Sequence, residues 1–317
     1  MVVRPRVTTA EGQKARAALR SKIGKLSDLR IQGSTKKRYD LAVKRFFDHL
    51  EEFGWRLPKA VADFDSVVSE YIDHLWEDGA AVGTAGDTLS GLQHYETGLR
   101  HRLAGSWQRI GLWQRLELPT RSTPAWHDLV LAMASWALDD NNCGMAAALL
   151  LGWECLLRTG EIGGITLGSM TVLRGGSSVM IDLGWTKGAK RKKVVEEKTA
   201  VDPLGVALAI YLIEQGEPGD YLVPGGTRAF TKTFGQYLKR HSLNDLGLTP
   251  YSLRRGKATE LWRSSGSVSV VQSAGRWSDM RTARLYIDGA SAQLTELKVP
   301  EQTHKAIAKA AHKMRKF

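Results

Sequence analysis

Near the C-terminal end, the stretch Gly275-Arg276-Trp277-Ser278-Asp279-Met280-Arg281-Thr282-Ala283-Arg284-Leu285-Tyr286-Ile287 sets one phenol among three arginines. Asp279 is placed to cap a short cationic helix, expected over 279–288 and carrying Tyr286. A tyrosine on such a helix can be brought to an anion. The same composition also suits a half-buried tyrosine packing beside exposed arginines, so only other segments can separate the two readings. Three further patterns bear on the choice. Arg158-Thr159-Gly160-Glu161 closes an almost wholly apolar run, 149–157. Arg and Glu three apart on a helix often form a structural ion pair, but a guanidinium fork emerging from a core is also suited to grip phosphate oxygens. Trp185-Thr186-Lys187-Gly188-Ala189-Lys190-Arg191-Lys192-Lys193 reads as a hairpin tip, an import signal, or a groove-entering turn with a lysine able to deliver a proton. Tyr251-Ser252-Leu253-Arg254-Arg255-Gly256-Lys257-Ala258-Thr259 starts a helix with a second candidate arginine.

These residues need elements to position them. From Ser34, the residues Tyr39, Ala42, Phe46, Leu50 and Phe53 recur at helical spacing until Gly54. Asp65 is expected to open a second helix with Val68, Tyr71, Ile72, Leu75 and Trp76 inward. A third, over 84–99, turns in Leu89, Leu92, Tyr95 and Leu99; a fourth, over 106–117, offers Trp107, Ile110 and Trp113. Together they predict a helical bundle of ordinary domain size. Residues 118–124, with prolines at both ends of a small polar run, read as a linker. Beyond it, helices are expected over 126–138 and 144–157, strands over 179–185 and 192–201, and helices over 203–214, 231–241, 252–264 and 267–275. The predicted organisation is an arm over 1–33, a bundle over 34–117, a linker over 118–125 and a second domain over 126–317. The predicted fold class is mainly α with a small antiparallel β-sheet.

With 317 residues, 43% hydrophobic and 25% charged, the chain has the composition of a folded protein. Its formal net charge of +12 points to a polyanionic partner, nucleic acid before membrane. Lys36, Lys37, Arg38 and Arg45 on the first bundle helix, with Arg102 and Arg109 later, are candidate DNA contacts, as are Lys190, Arg191, Arg255 and Arg276. A merely solvated basic face is the other reading. Two cysteines, Cys143 and Cys155, match no disulfide framework or zinc spacing and favour a reducing compartment. No apolar run approaches the length of a membrane span, and residues 1–6 lack the apolar core expected of a signal peptide.

In order and spacing, Arg158-x-x-Glu161, the Lys187-Gly188 turn, Tyr251-x-x-Arg254 with Ala258-Thr259, and Trp277 nine residues before Tyr286 resemble the tyrosine recombinase (phage integrase) family over about 149–287. The bundle resembles that family's SAM-like core-binding domain, and the second domain its α+β catalytic domain. The Gly-Arg-Trp-Ser wording with Tyr-Ile is similar to recombinases of DIRS- or Crypton-type eukaryotic mobile elements. The resemblance implies that Tyr286 attacks the scissile phosphate and forms a 3′-phosphotyrosyl link, that Arg158 and Arg254 hold the non-bridging oxygens, that Lys187 protonates the leaving 5′-oxygen, that Trp277 shapes the pocket, and that Glu161 orients its neighbours. Tyr251 stands where the family usually has His, and Arg255 replaces another common His. A phenol there can hydrogen-bond but cannot be cationic near neutral pH, so the chain is either an enzyme tolerating the change or a decayed one.

The expected activity is site-specific strand exchange, integrating or excising a mobile element, without metal, ATP or other cofactor. A type IB topoisomerase and a DNA-binding protein that has lost catalysis are the alternatives. The expected partner is double-stranded DNA bound by a homo-oligomer of two to four copies, with the last helix, 301–317, docking onto a neighbouring protomer. Residence would be nuclear for a eukaryotic element and otherwise cytoplasmic, at the nucleoid.

Overall fold

A computed structural model describes residues 10–23, 31, 33–173, 175–184, 186 and 195–317. The chain divides into two compact units, Met1–Thr120 and Arg121–Phe317.

In the first unit, α1 (Ala10–Ile23) precedes four helices: α2 (Gly33–Glu52), α3 (Val61–Glu77), α4 (Val82–Tyr95) and α5 (Ala104–Leu116). α2 packs on α4, and α3 on α5. Their shared core holds Phe46, Leu50, Val68, Tyr71, Ile72, Leu89, Leu92, Ile110 and Trp113, so helical spacing of apolar residues does mark the inward faces. The ends are less regular. α3 begins four residues before Asp65, whose carboxylate instead accepts from the backbone N–H groups of Gly105 (2.8 Å) and Ser106 (3.0 Å). Asp65 thus caps α5 across the bundle, supplying acceptors for two of its orphan amides. Trp76 and Tyr95, expected to face inward, are exposed, as are Phe53 and Trp107 from the same helical patterns, because each lies at or past a helix end or on the rim of its apolar stripe.

The second unit is built around α7 (Cys143–Glu154), which is buried from Gly144 to Trp153 and packs on α6 (His127–Asp139) and on α9 (Pro203–Gln215). A helix apolar on all sides belongs at the centre of a core. It ends at Glu154, so Leu157 lies beyond it, and the short α8 (Thr159–Ile162) follows. Three antiparallel strands, β1 (Met170–Val172), β2 (Val179–Gly184) and β3 (Glu196–Ala200), lie in that order, with Met170 opposite Ile181 and Val179 opposite Ala200. β1 escapes periodicity because three residues cannot display it. Asp202 caps α9, accepting from Leu204 (3.1 Å) and Gly205 (3.2 Å), with Pro203 in the first turn. Then come α10 (Gly226–Arg240), α11 (Tyr251–Ser265), α12 (Val268–Gly275), α13 (Met280–Arg284), α14 (Gly289–Leu297) and α15 (Glu301–Arg315).

α15 does not wait for another copy of the chain. It packs on α6 of its own unit, burying Ile307, Ala310, Ala311 and Met314, and its Lys313 and Arg315 pair with Asp139 and Asp128. An apolar stripe needs a partner surface, and the nearest one is in the same chain. Among the described residues no helix is long and apolar enough to cross a membrane.

Candidate active site

α11 carries the most buried cation. Ser252, Leu253, Arg254 and Arg255 at its N-terminal end are all buried, and Arg254 is 0% exposed. Its guanidinium donates from one Nη to the Leu156 carbonyl and from the other to the Gly275 carbonyl (2.5 Å). These bonds tie the turn after α7 to the end of α12. Two left-handed residues lie at the same carbonyls, Leu156 itself (φ 49°) and Arg276 just after Gly275 (φ 60°). Non-glycine residues are seldom held there, and such strain gathers where surrounding structure fixes a functional geometry. Gly275 has no alternative: a Cβ at this position would lie 1.8 Å from the Trp277 ring.

Over Arg254 lie two rings. Its guanidinium carbon is 4.4 Å from the Trp277 ring centre and 5.6 Å from that of Tyr286, within cation–π range. Trp277 and Tyr286 are 4.3 Å apart, and Trp277, Leu156, Ala258, Val271 and Ala283 form a small core of their own against which Tyr286 packs. Asp279 caps α13 by accepting from the Thr282 N–H (2.7 Å), as expected, but α13 ends at Arg284. Tyr286 therefore sits on the turn beyond the helix, its N–H donating to Ala283 (3.0 Å) and its carbonyl accepting from Thr259 (3.3 Å).

The Tyr286 and Tyr251 hydroxyls hydrogen-bond directly. Burial alone would push the Tyr286 phenol up, but the hydrogen bond from Tyr251, the nearby Trp277 indole and the charges of Arg254 and Arg158 outweigh it and hold the group below its ordinary value. Tyr251 moves the other way, raised by burial and by its bond to Tyr286. The two hydroxyls share one hydrogen bond, and the opposite shifts favour ionisation of Tyr286 over Tyr251. Arg254 is pushed down to about 10 by burial and by Arg158 and Arg276, and stays cationic at neutral pH.

Arg158, partly exposed, donates to Glu161 through its guanidinium (2.5 Å) and its backbone N–H (2.9 Å). The ion pair exists, and it leaves the Arg158 guanidinium close enough for its charge to act on both phenols. Lys198 on β3, missed in the sequence, donates to the Ala274 carbonyl (2.6 Å), its pKa lowered by burial and by Arg276. The available signal was charge on the inward phase of an alternating strand, since Glu196 and Ala200 are buried and Lys198 partly so. The Lys187-Gly188 turn, with Lys187, Lys190 and Arg191, lies outside the described residues.

Residues 128–293 match the phage integrase family's profile, just over half of the 317. The chain belongs to the phage integrase family. Site-specific DNA recombination is accordingly its activity. No curated protein matches the chain in sequence. Solved structures share the fold. The Tn1549 transposon integrase in complex with transposon right-end DNA is 14% identical with a TM-score of 0.59, over 84% of this chain and 95% of that one. A lambda integrase dimer bound to a COC′ core site is 14% identical with a TM-score of 0.53, over 87% and 76%. The XerH recombinase bound to difH substrate is 14% identical with a TM-score of 0.53, over 82% and 78%.

In this member of the phage integrase family, two expected DNA contacts turn inward. Arg255 is buried and donates to the Ser122 carbonyl (2.5 Å) and to Asp288 (3.2 Å). Arg276, with only 8% of its side chain exposed, bridges Glu161 (2.6 Å) and Glu196 (3.1 Å). Both guanidiniums are themselves buried and engaged by acceptors of their own unit, Ser122 and Asp288 for Arg255, and Glu161 and Glu196 for Arg276. In the first unit, Lys36, Lys37, Arg38, Arg45 and Arg102 are exposed and Arg109 is half-buried. The basic faces are less purely positive than the sequence suggests, since Arg38 pairs with Asp87 and Arg109 with Asp73 (2.6 Å) from neighbouring helices.

Removing the Tyr251 hydroxyl should slow cleavage without unfolding the site. A hydrogen bond to a charged group contributes roughly 1.5–3 kcal/mol, so Tyr251→Phe is expected to cleave about ten- to a hundredfold more slowly at neutral pH. The sign follows from the phenol. Loss of that hydrogen bond raises the Tyr286 pKa, so a cleavage step that uses its phenolate shifts to higher pH. A single-turnover profile that slows without shifting would rule this role out.

Proposed function

We propose that strand exchange runs through a covalent 3′-phosphotyrosyl intermediate on Tyr286. The observation that carries this reading is convergence: Tyr286, Tyr251, Trp277 and Arg254 touch one another, and the charge of Arg158, paired with Glu161, acts on both tyrosines, so three separate stretches of the chain form one cationic cluster. An ordinary phenol, with a pKa near 10, is a poor nucleophile at neutral pH. Here it is pre-lowered by the groups around it. The Tyr286 oxygen loses its proton to solvent and bonds to phosphorus, the phosphorus–O5′ bond breaks, and the leaving oxygen takes a proton from Lys187. Arg158 and Arg254 take up the charge that grows on the non-bridging oxygens. Because Arg254 is covered by the Tyr286 and Trp277 rings, the phosphate reaches it as the Tyr286 ring turns out to attack.

Two cations at the phosphate supply the neutralisation that a metal would otherwise supply, and the phosphotyrosyl ester conserves the energy of the broken bond. The reaction therefore needs neither metal nor ATP. Exchange joins two duplexes, so the working form is an assembly of at least two copies on DNA, serving a mobile element.

The test is to select a duplex from a random-sequence pool by binding to this chain, nick it so that the cleaved strand is lost, and digest the trapped product. The DNA-linked peptide should contain Tyr286. A linkage elsewhere, or none from a duplex that binds tightly, removes this reading; relaxation of supercoiled DNA lacking the selected site would favour a topoisomerase.

A further inference from the structure

Arg276 is used in neither of the ways its sequence suggests. Its left-handed backbone (φ 60°) turns the side chain away from solvent and between two buried carboxylates, Glu161 on α8 and Glu196 on β3. One Nη donates to Glu161 Oε2 (2.6 Å), and the other to Glu196 Oε2 (3.1 Å), which also accepts from the Thr186 hydroxyl (2.5 Å). The second oxygen of Glu161 holds the Arg158 guanidinium (2.5 Å). A continuous run of bonds therefore links the arginine before Trp277 to the arginine proposed to grip the phosphate.

We propose that Arg276 is a positioning residue for DNA cleavage, acting through Glu161 to hold Arg158 in the orientation that receives the scissile phosphate. The proposal rests on the recombinase reading above. Glu161 is a poor anchor by itself. With 9% of its side chain exposed, a carboxylate there is costly to ionise. Burial would raise its pKa, but the charge of Arg276, the Arg158 N–H and the charge of Arg158 outweigh this and hold it below the usual carboxylate range. Among the described residues, Arg254 and Lys198 repel Arg276, and Glu196 attracts it. Arg276 is the cation that touches both carboxylates, and a bidentate guanidinium does this with a geometry that a point charge cannot copy. Without it, Glu161 takes up a proton at higher pH and its hold on Arg158 weakens.

The test measures single-turnover cleavage of the selected suicide duplex across pH, together with DNA affinity and thermal stability. Arg276→Met should keep DNA affinity within about twofold yet cleave about a hundredfold more slowly at neutral pH, as a displaced catalytic group does. Its pH–rate profile should steepen at a higher pH than the wild type's, where Glu161 protonates. Arg276→Lys should fall between the two in rate and in the position of that break. A methionine variant that cleaves like wild type, or one slowed equally at every pH, overturns the proposal. Should the methionine variant fail to fold, the lysine variant decides: a break at the wild-type position overturns it. Wild type that forms no adduct defeats the recombinase mechanism itself, a result distinct from either of these.

Discussion

Tyr286→Phe is expected to abolish the covalent protein–DNA adduct while leaving DNA binding intact. The variant loses one oxygen, the only atom of that side chain assigned a bond-forming role, so the cleavage rate should fall on the order of 10⁴-fold or more. Little else should change. The ring keeps its packing against Trp277, 4.3 Å away, and its place over Arg254. The lost hydrogen bond to Tyr251 costs about 1 kcal/mol of stability, within reach of thermal denaturation. The measurement is denaturing electrophoresis of the suicide-duplex reaction beside a binding isotherm. A faint adduct deserves mapping, because Tyr251 is the one other phenol in contact with this oxygen. Full-strength adduct in Tyr286→Phe, linked to Tyr251, would move the nucleophile to α11 and reverse the roles of the two tyrosines.

Much of this site could be read from residue order. Arg158, Glu161, Tyr251, Arg254, Trp277 and Tyr286 gather in one cluster, and each stands beside a short-range signal: an arginine opening the short helix after an apolar one, another at a helix start, an aspartate cap before the last stretch. The bundle was legible for a similar reason, since the stripe of Phe46, Leu50, Val68 and Ile72 shows which faces must be covered. What stayed hidden depends on contacts between distant segments. Arg255 and Arg276 look like surface cations because their acceptors lie 33 and 133 residues away for the first, and 80 and 115 for the second. Asp65 looks like the cap of the helix that contains it, yet its partners are Gly105 and Ser106. A positive φ at Leu156 has no local cause in the residue type; it exists because the carbonyl must face Arg254. The helix expected over 279–288 ends at Arg284, because Thr259 and Ala283 hold Tyr286 in a turn.

Arg254→Lys is the second large effect, although charge is nominally conserved. Arg254 does three things together: it donates to Leu156, it donates to Gly275, and its guanidinium carbon lies within cation–π range of Trp277 and Tyr286. An ammonium cannot span both carbonyls in a fork or stack as a plane. One buried carbonyl is left without a donor, at a cost of roughly 1–3 kcal/mol in stability. The catalytic loss is larger. Removing one oriented donor from a developing oxyanion costs about 10²–10³-fold, and the same loss is expected here in single-turnover cleavage. The pH dependence separates lost geometry from lost charge. Burial, Arg158 and Arg276 already push Arg254 down to about 10. A lysine starts about two units lower than an arginine, so the same surroundings bring it nearer neutrality. The lysine variant's rate should then stop rising, and begin to fall, at a lower pH than the wild type's as the ammonium deprotonates. A uniform loss at every pH would mean that the fork, and not its charge, is what the phosphate requires. Cleavage within tenfold of wild type would take Arg254 out of the transition state altogether.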